Sequence, residues 1–245
     1  MILPQNSYLR NPPLILHSEQ VVIFNAIRYS IDICEVSYDR LIKNISELTE
    51  KENIQPLDFP TIFSDVWSII NNSVLFIKII TEHFKIERNE PKLTELNKAI
   101  NLRHSNQHIT ERISQILSTK DLPIYGYLSW TKTYSNSNEE IIATIYSGTF
   151  SNKGNVKIEI SNKNEENKNT NIEKLEFTNI VREGTKKEGY TFREERVFLS
   201  KIISELTFWI DHFDKQIVEQ MPEVNEHEKH TSDLILKLIG IRIKN

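Results

Sequence analysis

The strongest constraint in the chain is a run of apolar side chains spaced for one face of a helix. Ile27, Ile31, Cys34, Tyr38, Leu41, Ile45 and Leu48 follow one another at alternating steps of four and three. That period places them on one stripe. It predicts a helix from about Ser18, a plausible N-cap, to Lys51, ended by the two prolines of "NIQPLDFP". A second segment, "TIFSDVWSIINNSVLFIKIITEHFKI", carries Ile62, Val66, Ile69, Ser73, Ile77, Ile80 and Phe84 on one side and Phe63, Trp67, Ile70 and Val74 beside them. So wide an apolar face predicts a central helix. A third helix is expected from about Lys92 to Leu117, with Leu93, Leu96 and Ile100 early and Ile109, Ile113, Ile116 and Leu117 late.

The period changes after Leu122. "YGYLSWTKTY", "EEIIATIYSGTF", "GNVKIEIS" and "IEKLEFTNIV" are rich in β-branched and aromatic residues that largely alternate in twos, which predicts a small antiparallel sheet. The polar tract "SNKNEENKNTN" reads as a loop. Helical steps return with Phe192, Arg196, Leu199, Ile203, Leu206, Ile210, Phe213 and Ile217, and a shorter helix is expected around Leu234, Leu238 and Ile241. The expectation is mainly α: an antiparallel helical bundle with a small β insertion between the third and fourth long helices. Residues 1–121 supply the N-terminal helices, 122–190 the sheet and 191–245 the helices that complete the bundle.

Composition narrows the function classes. The formal net charge is −4 with 26% charged residues of both signs, so a polyanion would need a local basic patch. The single cysteine, Cys34, rules out an internal disulfide and a cysteine-rich zinc site, and fits a reducing cytosol. The opening "MILPQNSYLRNPPLIL" lacks a basic region followed by a long apolar run, and no stretch reaches the about eighteen uncharged apolar residues of a membrane span. A soluble, unexported, cytoplasmic protein with no membrane contact is expected. There is no phosphate-binding Gly-rich loop, dinucleotide fingerprint or nucleophile elbow in the sequence.

"NLRHSNQHI", residues 101–109, interrupts the third helix with polar groups. Arg103 continues the row of Leu96 and Ile100, so its guanidinium is expected to face the bundle or a cleft beside it. A buried cation needs an anion, either Asp65 or Glu111 or a ligand phosphate. His108 lies five residues from Arg103, roughly 140° around an ideal helix, so the two converge only if the helix bends or restarts there. Ser105 or Asn106 could cap a new N-terminus. A different reading groups His104, His108 and Glu111 as ligands of a divalent metal, with His83, His212, His227 or His230 as the further ligand. Trp67 and Trp209 are read as core; Trp130, with Tyr125, Tyr127, Tyr134 and Lys132, as sheet packing or an RNA-stacking surface; and Arg193 and Arg196 equally as a local basic patch or as surface pairs with Glu194 and Glu195.

Arg103, His104, Ser105, Asn106, Gln107 and His108 resemble the signature of the HEPN superfamily, helical domains whose ribonuclease members carry an Arg, four to six intervening residues and a His. The resemblance covers the motif and the helices around it, about half the chain. It implies an HEPN-like bundle and a metal-independent endoribonuclease in which the RNA 2′-hydroxyl attacks the adjacent phosphate. Arg103 and His108 would be catalytic, His104, Asn106 and Ser105 supporting, and no cofactor would be needed. It further implies RNA as substrate, a homodimer that brings two motifs together, and a role as a toxin or anti-phage (abortive infection) effector, with an antitoxin or trigger protein bound through the β insertion. The alternative within the same family is a non-catalytic binding or scaffold subunit.

Overall fold

In the computed structural model, residues 2–49, 57–117, 120, 122–134, 140–148, 170–184 and 189–220 are described. Helix α1 spans Ser18–Leu48 and α2 Asp58–His83. A 3-10 turn, Pro91–Leu93, leads into α3, Thr94–Gln107. A single turn α4, Ile109–Arg112, passes into a π-helical turn, Ile113–Leu117. Strands β1, Tyr127–Tyr134, β2, Glu140–Tyr146, β3, Thr170–Glu183, and β4, Thr191–Phe198, precede helix α5, Leu199–Gln220.

The helical stripes fold as their spacing predicts. In α1, Ile27, Ile31, Cys34, Leu41, Ile45 and Leu48 are buried. The N-cap is His17 rather than Ser18, with the Gln20 side chain accepting the His17 N–H at 2.9 Å. Helix α2 buries thirteen residues, including both of its apolar rows. Cys34 is enclosed between α1 and α2, its Sγ 3.6 Å from the Ile69 carbonyl and 3.7 Å from the Ser73 hydroxyl, and burial pushes the thiol up to about 12. Helix α2 is long and apolar enough to cross a membrane, with a mean hydropathy of 1.3 over its best window, but 67% of that window is buried inside the fold. Its apolarity is used by the core.

The four strands form one antiparallel sheet in the order β2-β1-β3-β4, with the long β3 paired on both sides. The sheet departs from the expected small insertion. Leu128, Trp130, Leu175, Phe177, Val181 and Val197 belong to the same continuous core as the helices, and Phe177 meets Trp67 of α2 edge to face at 5.2 Å. The expected mainly α, HEPN-like bundle with an appended sheet is therefore corrected to a mixed α and β fold whose sheet is part of the central core.

Two boundaries move as well. Phe192 and Arg196, expected to open the fourth helix, lie in β4, where Glu195 and Val197 are buried and Arg196 is paired with Glu176 across the sheet. A strand also tolerates Phe192 and Arg196 four apart; only from Leu199 do steps of three and four coincide with burial. The predicted third helix breaks at His108, whose backbone (φ −105°, ψ 28°) leaves the helical region. The "GNVKIEIS" strand, most of the polar tract and the helix around Leu234 lie outside the described residues.

Helices α3 and α5 are locked at their starts by reciprocal carboxylates. Glu205 of α5 accepts the Glu95 and Leu96 N–H groups at 3.1 and 3.0 Å, satisfying orphan donors at the start of α3. Glu95 in turn accepts the Phe198 N–H at 3.0 Å, just before α5. Glu205→Ala is expected to lower unfolding stability by about 1–2 kcal/mol, the usual loss on removing a helix cap, as measured by urea denaturation.

Candidate functional site

Helix α3 presents two different flanks at the interrupted motif, and the break at His108 separates their roles. The anchor between them is the Ile180 carbonyl on β3. Ser105, buried, donates its hydroxyl to that oxygen at 2.5 Å. Arg112, from the turn after the break, donates Nη1 to the same oxygen. Arg112 is 1% exposed, and its Nε and Nη2 are buried with no hydrogen-bond partner. Without a carboxylate beside it, desolvation pushes the guanidinium down to about 10.

On the sheet-facing flank, the rings of His104 and His108 stand 4.7 Å apart at 61°. Both reach solvent, the His108 side chain being 40% exposed. His108 Nδ1 is 3.6 Å from Glu111 Oε1. The other oxygen of Glu111 accepts Arg182 Nη1 at 2.9 Å, and the Arg182 guanidinium lies over the Tyr190 ring at 4.1 Å. The His104 imidazole titrates below the usual histidine range, chiefly through desolvation and then through the positive neighbours His108 and Arg182, with Glu111 opposing them. The arrangement combines an imidazole biased toward its neutral form, a second imidazole near a carboxylate, and a cation fixed by an ion pair and an aromatic face. These are the parts needed to move protons beside an anionic group.

Arg103 is half-buried and sits one turn from Asn106 on the opposite flank. The break supplies the bend that convergence with His108 requires, but it brings His108 to His104 and Glu111. Neither expected structural anion serves Arg103: Asp65 is held by Arg40 and Glu111 by Arg182. Among the described residues Arg103 has no hydrogen bond or ion pair. Neither Ser105 nor Asn106 acts as an N-cap; His108 occupies the junction.

Among the described residues no group of three His, Cys, Asp or Glu side chains converges as a metal site needs, so His104, His108 and Glu111 share a face without forming a ligand set. The Glu111 carboxylate is occupied by Arg182 and His108. His83 ends α2, and His212 packs against Phe208 and Trp209 in α5. His227 and His230 fall outside the described residues.

The flank that carries Asn106 borders a cleft of about 730 Å³. One wall is the face of α2 from Phe59 through Phe63 and Trp67 to Asn71, and the other is formed by Ile124, Tyr125 and Tyr146 to Gly148. That second wall is internally braced. The Tyr125 N–H donates to Ser147 Oγ at 2.8 Å, Ser147 Oγ donates to the Gly126 carbonyl at 2.7 Å, and Trp67 Nε1 donates to the Tyr125 carbonyl at 3.3 Å. Gly126 has φ +87°, and a Cβ there would come within 2.5 Å of the Thr178 carbonyl oxygen. Only glycine fits that approach.

Of the residues the sequence singles out, His104, His108 and Glu111 lie together and Asn106 borders the cleft instead; Arg182, Tyr190 and Arg112, which it does not single out, pack around the same turn. Arg182 and Tyr190 flank a hairpin more than seventy residues from the motif, and nothing local marks them. Arg112→Met is expected to stabilise the fold by about 1–3 kcal/mol, because an uncompensated buried charge is replaced by an apolar group of similar length; a rise in thermal midpoint checks it. Compared with protein-family models, curated proteins and solved structures, the chain matches none.

Proposed function

We propose that the protein is a metal-independent endoribonuclease whose acid and base are His104 and His108 of one chain. The observation that supports this most is the imidazole pair at 4.7 Å, with Glu111 beside His108 and Arg182 fixed alongside. In this reading neutral His104 takes the proton of the 2′-hydroxyl, and O2′ attacks the adjacent phosphorus. The P–O5′ bond breaks as His108, with Glu111 nearby, delivers a proton to the leaving O5′. The products are a 2′,3′-cyclic phosphate and a 5′-hydroxyl. Arg182 takes the charge-stabilising role that the family resemblance implied for Arg103, since it lies with the histidines and retains donors beyond the one given to Glu111. The requirement for two histidines, which the family resemblance meets through a dimer, is met here within one subunit.

Incubation of purified protein with total RNA in EDTA, followed by mapping of the ends, tests the reading. His104→Ala and His108→Ala are each expected to slow cleavage by about 10²–10⁴-fold, the usual range for a general acid or base, and Arg182→Ala by about 10²–10³-fold, as for loss of one preorganised charge-stabilising donor. Arg103→Ala should slow it less than Arg182→Ala. Absence of cleavage by the folded parent protein, under conditions in which RNA binds, would favour a non-catalytic binding subunit.

The pH response has a definite sign. Because His104 titrates below the usual value of about 6.5, the base remains neutral, and active, further into acid than a free histidine would. Removing the positive neighbour in Arg182→Ala should move the His104 titration upward, whereas Glu111→Gln, which removes the opposing negative charge, should move it downward. NMR titration of the His104 ring proton reads both shifts, even where activity is lost.

A further inference from the structure

We infer that the cleft between α2 and the β1–β2 end of the sheet is a purine-base site. Its lining combines aromatic rings on both walls with neutral hydrogen-bonding groups, and among the described residues none that lines it is charged. That composition disfavours a phosphate or carboxylate inside the cleft and favours a neutral, planar, hydrogen-bonding group. Phe59, half-buried, supplies a ring from α2 over the buried Phe63 and Trp67, while Tyr125 and Tyr146, both about half exposed, supply rings from the sheet side. Accessible aromatic rings on two walls suit stacking of a base.

The polar groups point the same way. The carboxamides of Asn71 and Asn106 border the cleft from two different helices and have no hydrogen-bond partner among the described residues. Each offers a donor and an acceptor, the pairing that reads the edge of a base bidentately. The cleft volume, about 730 Å³, lies within the range of about 300–1,000 Å³ typical of small-molecule sites, and it accommodates the two-ring purine with its ribose at the open side. The Trp67, Tyr125 and Ser147 hydrogen bonds hold the wall in shape before any ligand arrives. Arg103, one turn from Asn106, stands on the same flank and could meet a phosphate outside the neutral interior.

The inference does not rest on the histidine chemistry, because base binding is measured without cleavage. Calorimetric titration of the parent protein with adenosine, guanosine, cytidine and uridine tests it, together with a short purine-rich single-stranded RNA bearing 2′-O-methyl groups, which cannot undergo 2′-hydroxyl attack. A purine nucleoside or the oligonucleotide should saturate one site. Asn71→Ala, Asn106→Ala and Tyr125→Ala should each weaken binding by about tenfold, the lower part of the range expected for one base contact. Asn71 and Tyr125 are surface positions whose truncation leaves the core untouched. Tighter binding of the oligonucleotide assigns the base to an RNA chain; nucleoside binding with no oligonucleotide binding assigns it to a free nucleoside or nucleotide. Failure of every ligand to bind at millimolar concentration, equal binding of pyrimidines, or binding unchanged in the three variants overturns the proposal.

Discussion

Helix α2 must be covered on more than one side, and most of the architecture follows from that requirement. Its thirteen buried residues include two adjacent apolar rows, wider than one partner helix can hide. Each large aliphatic side chain left in water would forfeit about 1.5–3 kcal/mol. Helix α1 packs along one side and α3 along another, while Trp67 meets Phe177 of the sheet. The sheet packs chiefly on α3 and α5 and touches α2 through Trp67, yet its inner residues share one continuous core with the helices, so it is no accessory to a finished helical bundle.

At the interrupted motif, tertiary contacts hold two turns of chain to one point on the sheet. Ser105 and Arg112 share the Ile180 carbonyl, so the chain on either side of His108 is fastened to the same atom of β3. The anchor carries a cost, since Arg112 is desolvated with two nitrogens unpartnered.

On one flank of α3 lie His104, His108 and the Arg182–Glu111 pair; on the other lies an aromatic cleft lined by uncharged residues, with Arg103 one turn from its Asn106. The helix separates them while keeping both within one structural element, with His104 and Asn106 only two residues apart in sequence.

The sequence by itself determined the strongly periodic parts. The buried rows of α1, α2 and α5 were legible because a 3.6-residue period leaves a direct trace in the order of apolar residues. Strands β1, β2 and β3 were legible through alternation, and the histidines, Glu111 and Asn106 through their spacing in an otherwise apolar helix. Tertiary structure decided the rest. Phe192 and Arg196 satisfy a helical step as well as a strand, and only pairing with β3 selects the strand. Ser105 is fastened to a carbonyl 75 residues away, and Arg182 and Tyr190 join the histidines through a hairpin no local pattern announces. Periodicity records which face of an element is buried, whereas the identity of the neighbour across that face is a property of the folded chain alone.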